Sequence, residues 1–110
     1  MIYNGPVKSV SVTLAVGNNQ TVIAAVTGKR VRVMGYKTQS TTGVQGAYVL
    51  KDGSGGTTLD GGFAPPLAGL PFLIPVQEEG YFETTDGVGL FADVVTGPIT
   101  IQVFYKEYVP

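Results

Sequence analysis

The chain contains no cysteine, no histidine and no tryptophan among its 110 residues. Without cysteine there is no disulfide and no thiolate metal site. Without histidine, the commonest general base and the commonest metal ligand are missing. Charge is scarce as well. Lys and Arg number 7 and Asp and Glu 8, which makes 14% of the chain and a net charge of −1. An ordinary soluble domain carries roughly a quarter. So weak a positive charge argues against an electrostatic nucleic-acid binder. A small domain with so few charges is expected to hide part of its surface against a partner. No apolar run reaches membrane-spanning length. The longest are 22–26 and 65–76, and the second holds four prolines. The first residues show neither a basic region nor a signal-length apolar run, so synthesis in a host cytoplasm is expected. No cofactor is expected.

What is abundant is punctuation. Gly (16) and Pro (7) make up about a fifth of the sequence. No glycine- and proline-free window shows helical periodicity. β-Branched and aromatic residues come in short runs instead. Val10, Val12, Leu14 and Val16 alternate with Ser9, Ser11, Thr13 and Ala15, which predicts a strand with one buried face and one small polar face. Further strands are expected at 21–26, 30–39, 44–51, 57–59, 81–84, 88–95 and 99–108, with the tract from Phe63 to Pro75 as an edge strand or extended arm. In the third, Val31 and Val33 share a face with Gly35, and Arg30, Arg32 and Met34 share the other with Tyr36. In the last, Ile99, Ile101, Val103 and Tyr105 share a face. Gly17-Asn18-Asn19 reads as a turn, Asp60-Gly61-Gly62 closes the short strand, Gly46 marks a bulge, and Thr96-Gly97-Pro98 reads as a hairpin connection.

Eight or nine short strands at near-regular spacing predict an all-β, antiparallel sandwich of jelly-roll-like form. Residues 8–110 are expected to form this single domain, with an N-terminal arm over 1–7 free to reach a neighbouring subunit.

The chemistry on offer is sparse. Serine and threonine are plentiful, but no histidine is present to activate them. Glu78, Glu79, Glu83, Asp86 and Asp93 are candidate carboxylates for a hydrolase pair, or a solvated strand edge kept polar against aggregation. Asp52-Gly53-Ser54 and Asp60-Gly61-Gly62 offer oxygens to Ca²⁺, or are plain turns. Arg30 and Arg32, beside Lys29, form the one basic cluster. They are expected to dock on an acidic protein surface, or to solubilise a strand face. The apolar, proline-stiffened tract is expected to form a subunit contact through Pro65, Pro66, Leu67, Leu70 and Phe72. Exposed aromatics such as Tyr36, Tyr48 or Tyr81 would suit a carbohydrate- or receptor-binding module.

Four pieces occur in a telling order. Val26-Thr27-Gly28-Lys29-Arg30-Val31-Arg32-Val33 comes first, followed by a glycine-rich turn after Leu50. The Pro-rich tract ending Leu73-Ile74-Pro75 is next, and then Gly80-Tyr81-Phe82-Glu83-Thr84. The chain closes on the aromatic strand from Ile99 to Tyr108. Over about four-fifths of its length, from Val22 to its end, this order resembles small bacteriophage virion proteins of the head-decoration (cement) type. The resemblance implies a non-enzymatic β-sandwich, assembled as a homotrimer on the capsid surface, with the major capsid protein as partner. Tyr3 in the arm, with Arg30 and Arg32, would then dock on the capsid.

Overall fold

The computed structural model describes residues 5–110. Nine strands and no helix make up this region. They are β1 (Lys8–Leu14), β2 (Gly17–Ile23), β3 (Arg30–Ser40), β4 (Gly46–Asp52), β5 (Thr58–Ala64), β6 (Phe72–Ile74), β7 (Phe82–Glu83), β8 (Leu90–Thr96) and β9 (Ile99–Tyr108). One sheet runs β1-β9-β3-β6, with β7 also on β3, and the other runs β2-β8-β4-β5. Every pairing is antiparallel. If β6 and β7 are taken as one interrupted strand, each sheet has four strands and the order is that of a jelly roll.

Alternation explains the packing. Ile99, Ile101 and Val103 of β9 and Val31, Val33 and Tyr36 of β3 face Leu90, Ala92 and Val94 of β8 and Tyr48 and Leu50 of β4. Val10 and Val12 of β1 lie partly buried against this core. A fully buried aliphatic side chain of this kind contributes about 1.5–3 kcal/mol through lost water contact. Among the described residues, no buried side-chain nitrogen or oxygen lacks a hydrogen-bond partner.

The structure departs from the sequence reading at several joints. β3 carries a bulge: Val33 pairs with Tyr105 and Gly35 with Phe104, leaving Met34 without a partner on β9. One extra residue reverses the alternation beyond it. Tyr36 therefore turns into the core beside Val31 and Val33, not outward with the arginines. Its hydroxyl donates to Asp60 Oδ2 at 2.6 Å and accepts from Tyr48 at 3.3 Å, and the two rings meet edge-on. Burial first, and then these hydrogen bonds, push the Tyr36 hydroxyl far above its usual pKa.

β2 starts at Gly17, within the expected turn, because Asn19 takes a left-handed φ of 55° and the ladder shifts around it. Residues 24–26 lie outside the strand and are exposed, and so is Val16. β5 runs straight through Asp60-Gly61-Gly62, which the sequence marks as a stop. The irregularity expected at Gly46 lies on the neighbouring strand instead: Ala47 pairs with Thr96 and Tyr48 with Val94, so the extra residue is Val95 of β8. Gly97-Pro98 is not a hairpin turn: β8 and β9 belong to different sheets, and these residues cross between them. Of the expected arm, Gly5, Pro6 and Val7 are exposed ahead of β1, and residues 1–4 lie outside the described part.

Candidate functional site

The Pro-rich tract carries the chain from β5 at the edge of one sheet to β6 at the edge of the other. Its anchors are backbone groups. Ser40 donates to the Pro65 carbonyl at 2.8 Å, Leu67 to the Thr42 carbonyl at 2.8 Å, and Gly69 closes a turn on Pro66 at 2.8 Å. Gln39 Nε2 lies within 2.8–3.4 Å of the carbonyls of Pro66, Leu67 and Gly69. Pro65 and Pro66 are half-buried by this arrangement. Leu67, Leu70 and Phe72 are not: they stand 59%, 87% and 41% exposed. Of the five residues expected at a subunit contact, two hold the segment and three present apolar surface. Leu73 and Val76 extend that surface, and Phe63, the first residue of the tract, is 62% exposed within β5.

Two glycines let the segment hug β3. A Cβ on Gly35 would lie 2.8 Å from the Ile74 carbonyl, and one on Gly80 would lie 2.8 Å from that of Val33. Gly80 also has a φ of +69°, a conformation that side-chain-bearing residues resist. With Gln77 bonded to the Met34 carbonyl, the connection between β6 and β7 closes over the bulge.

Arg30 and Arg32 stand side by side on the outward face of β3, as their spacing predicts. Both reach the same carboxylate. Arg30 Nη1 lies 2.9 Å from Glu83 Oε2 and Arg32 Nη1 3.0 Å from Glu83 Oε1. Arg30 Nε bonds Asp86 at 2.8 Å, and Arg32 Nε bonds the Glu79 carbonyl at 3.0 Å. Tyr108 donates to Glu83 Oε2 at 2.6 Å. Partial burial pushes the Glu83 carboxyl up, but the Tyr108 hydrogen bond and the two guanidinium groups outweigh it and hold it below the usual glutamate range. The arginines therefore pin β7 to β3, and their side chains keep 37% and 17% exposure at the rim of the sheet. Tyr3 lies outside the described residues.

Glu83 and Asp86 meet on Arg30, but Glu83 and Asp93 do not converge. Glu83 faces outward from one sheet. Asp93 faces outward from the other, where it accepts from Lys51 at 3.0 Å and from the Asn19 amide at 2.7 Å. Sheets in a sandwich lie about 10 Å apart, so the two groups point away from each other across the core. That separation does not suit a hydrolytic pair. Nor do the glycine-rich turns gather cation ligands. Asp52 accepts from the Thr85 amide and hydroxyl, Asp60 accepts from Tyr36, and no metal-binding cluster of three acids occurs among the described residues. Of the aromatics suited to a sugar platform, Tyr36 and Tyr48 are buried, and Tyr81 spends its hydroxyl on the Pro75 carbonyl at 2.7 Å.

One surface was not singled out from sequence. On the outward face of the first sheet, β1, β9 and β3 set two rows of polar residues in register. Ser11, Gln102 and Lys37 form one row, and Thr13, Thr100 and Gln39 the other. The Pro-rich segment overhangs them and makes a groove of about 370 Å³. The polar alternation of each strand is visible in the sequence, but their register is not.

No protein-family model matches the chain, and neither a curated protein nor a solved structure matches it.

Proposed function

We propose that this jelly roll is a non-enzymatic structural protein that works by docking, and that it serves as a decoration protein on a phage head. The observation that carries the docking role is the Pro-rich edge. Leu67, Leu70, Phe72, Leu73 and Val76 are all exposed on a segment fixed by three backbone hydrogen bonds and by the Gln39 side chain. A pre-ordered apolar surface loses little entropy on association. A run of exposed apolar side chains along one edge, with Phe72 on one side of it and Leu73 on the other, marks an interaction site. The family resemblance supplies the phage head, the homotrimer and the major capsid protein as partner.

The apolar edge takes the subunit contact in this reading. The rim around Arg30 and Arg32 meets the capsid, its guanidinium groups partly exposed above Glu83. Many weak, repeated contacts would then stiffen the shell, since linked sites bind far more tightly together than singly. Cosedimentation of the full chain with capsids built from the major capsid protein of its phage tests the role. Saturable binding that Leu70→Asp weakens is expected. Absence of the chain from the pelleted capsids contradicts it.

A further inference from the structure

We propose that the groove on the β1-β9-β3 face is a binding site for an acidic saccharide, a sugar ring bearing a carboxylate. Its floor comes from the two in-register rows, and the neutral members that line it, Ser11, Thr100 and Gln102, offer hydroxyls and an amide that both donate and accept. Under β9 and β3 the backbone is committed to the ladder on both sides, so a ligand over these strands is gripped through side chains. Polyhydroxyl ligands suit such a floor; an extended peptide, which needs free backbone groups, does not.

One charge stands among these groups. Lys37 sits beside Gln102 in the ladder with β9 and beside Leu73 in the ladder with β6. None of the chain's carboxylates lines the groove. Lys37 forms no ion pair among the described residues. Its ammonium is an unmatched cation beside hydroxyl and amide groups, which selects an anionic ring over a neutral one. The overhanging wall is apolar, made by Leu67 and Pro71, and presents a surface for the C–H face of a ring.

The wall is fixed in place. Gln39 is its positioning residue, its two amide hydrogens directed at the Leu67 and Gly69 carbonyls with that of Pro66 nearby, and the Leu67 amide is tied to Thr42. The volume of about 370 Å³ falls within the usual range for small-ligand sites. The rows cross three strands, about 10 Å, so a ligand longer than one ring has contacts to make. This site shares Leu67 with the apolar edge of the docking role, but its floor is the sheet face, which the subunit contact does not use.

Amide chemical-shift mapping of the full chain tests the site with four probes: trigalacturonate, galacturonate, a neutral trisaccharide and triaspartate. Trigalacturonate is expected to shift Ser11, Lys37, Gln102 and Thr100 in a saturable manner. Galacturonate is expected to bind more weakly at the same amides, and the neutral sugar more weakly than trigalacturonate. Lys37→Gln should lower trigalacturonate affinity roughly fivefold, as an exposed ion pair allows, and leave the neutral sugar unchanged. Gln102→Ala should weaken both sugars. Unmoved groove amides with either acidic sugar overturn the proposal, as does a Lys37→Gln chain that binds trigalacturonate like the parent. Triaspartate binding as tightly as trigalacturonate overturns it too, and makes the groove an acidic-peptide site.

Discussion

β3 has a neighbour on each side, and the two are built on opposite rules. On one side β9 pairs with it from Arg30 to Ser40 and adds Ile99, Ile101 and Val103 to the core. On the other, β6 and β7 pair over three and two residues, with Pro71 and Pro75 flanking β6. The first pairing adds a fully buried face to the core; the second sets Ile74 and Phe82 against the core and leaves Phe72 and Leu73 largely in solvent. Short, proline-flanked edge strands also resist unwanted sheet extension. The β9 side therefore holds the fold, and the β6 side remains available for recognition. Substitutions on the two sides should separate stability from association.

The largest effect is expected in the core served by β9. Ile101→Ala or Leu50→Ala removes a fully buried side chain. Each should cost about 2–5 kcal/mol, read as a lower urea midpoint with an unchanged slope. A loss below about 1 kcal/mol would mean that this interior is less tightly packed than the close-packed norm.

Glu83→Gln comes next, because it removes the carboxylate that ties β7, Arg30 and Arg32 together. About 1–3 kcal/mol is expected. The pH dependence carries the sign. A carboxyl held below its usual range stabilises the fold when ionised. That contribution is complete above the unfolded glutamate pKa and fades as pH falls through the folded value. Acid titration of stability should therefore be shallower in Glu83→Gln than in the parent. The same network sharpens the docking idea. Arg30→Glu with Arg32→Glu would place two new acids beside Glu83 and Asp86 and destabilise the β7 edge, so any loss of capsid binding needs a matched stability measurement.

Tyr36→Phe should cost about 1–2 kcal/mol, since it breaks the bond to Asp60 and leaves Tyr48 without its hydroxyl partner. Thermal unfolding would show it. Leu70→Asp lies at the far end of the scale. With a side chain so exposed, it should change stability by no more than about 0.5 kcal/mol while abolishing association.

The sequence announced some of this division and hid the rest. The alternation in β9 reads straight through to its buried face, because nothing interrupts its period of two. The same rule fails in β3 after Val33, because a bulge at Met34 depends on β9 opposite and leaves no local mark. Asp60-Gly61-Gly62 looks like a turn, yet pairing with Val49 and Leu50 keeps it extended. Thr96-Gly97-Pro98 shows that the chain reverses, not that it changes sheets. The exposed apolar tract was legible because prolines exclude it from a sheet interior. The arginine pair was legible as a shared face, but its carboxylate partner lies some fifty residues on. The polar groove needed the register of three strands distant in sequence, which no local pattern supplies.

The most direct test of the apolar edge is the native mass of the full chain by light scattering during size-exclusion chromatography, beside Leu70→Asp. A mass near three times 11.5 kDa for the parent and near 11.5 kDa for the variant is expected. A parent that stays monomeric at every concentration, or a variant that assembles as the parent does, would contradict an association surface on the β6 side.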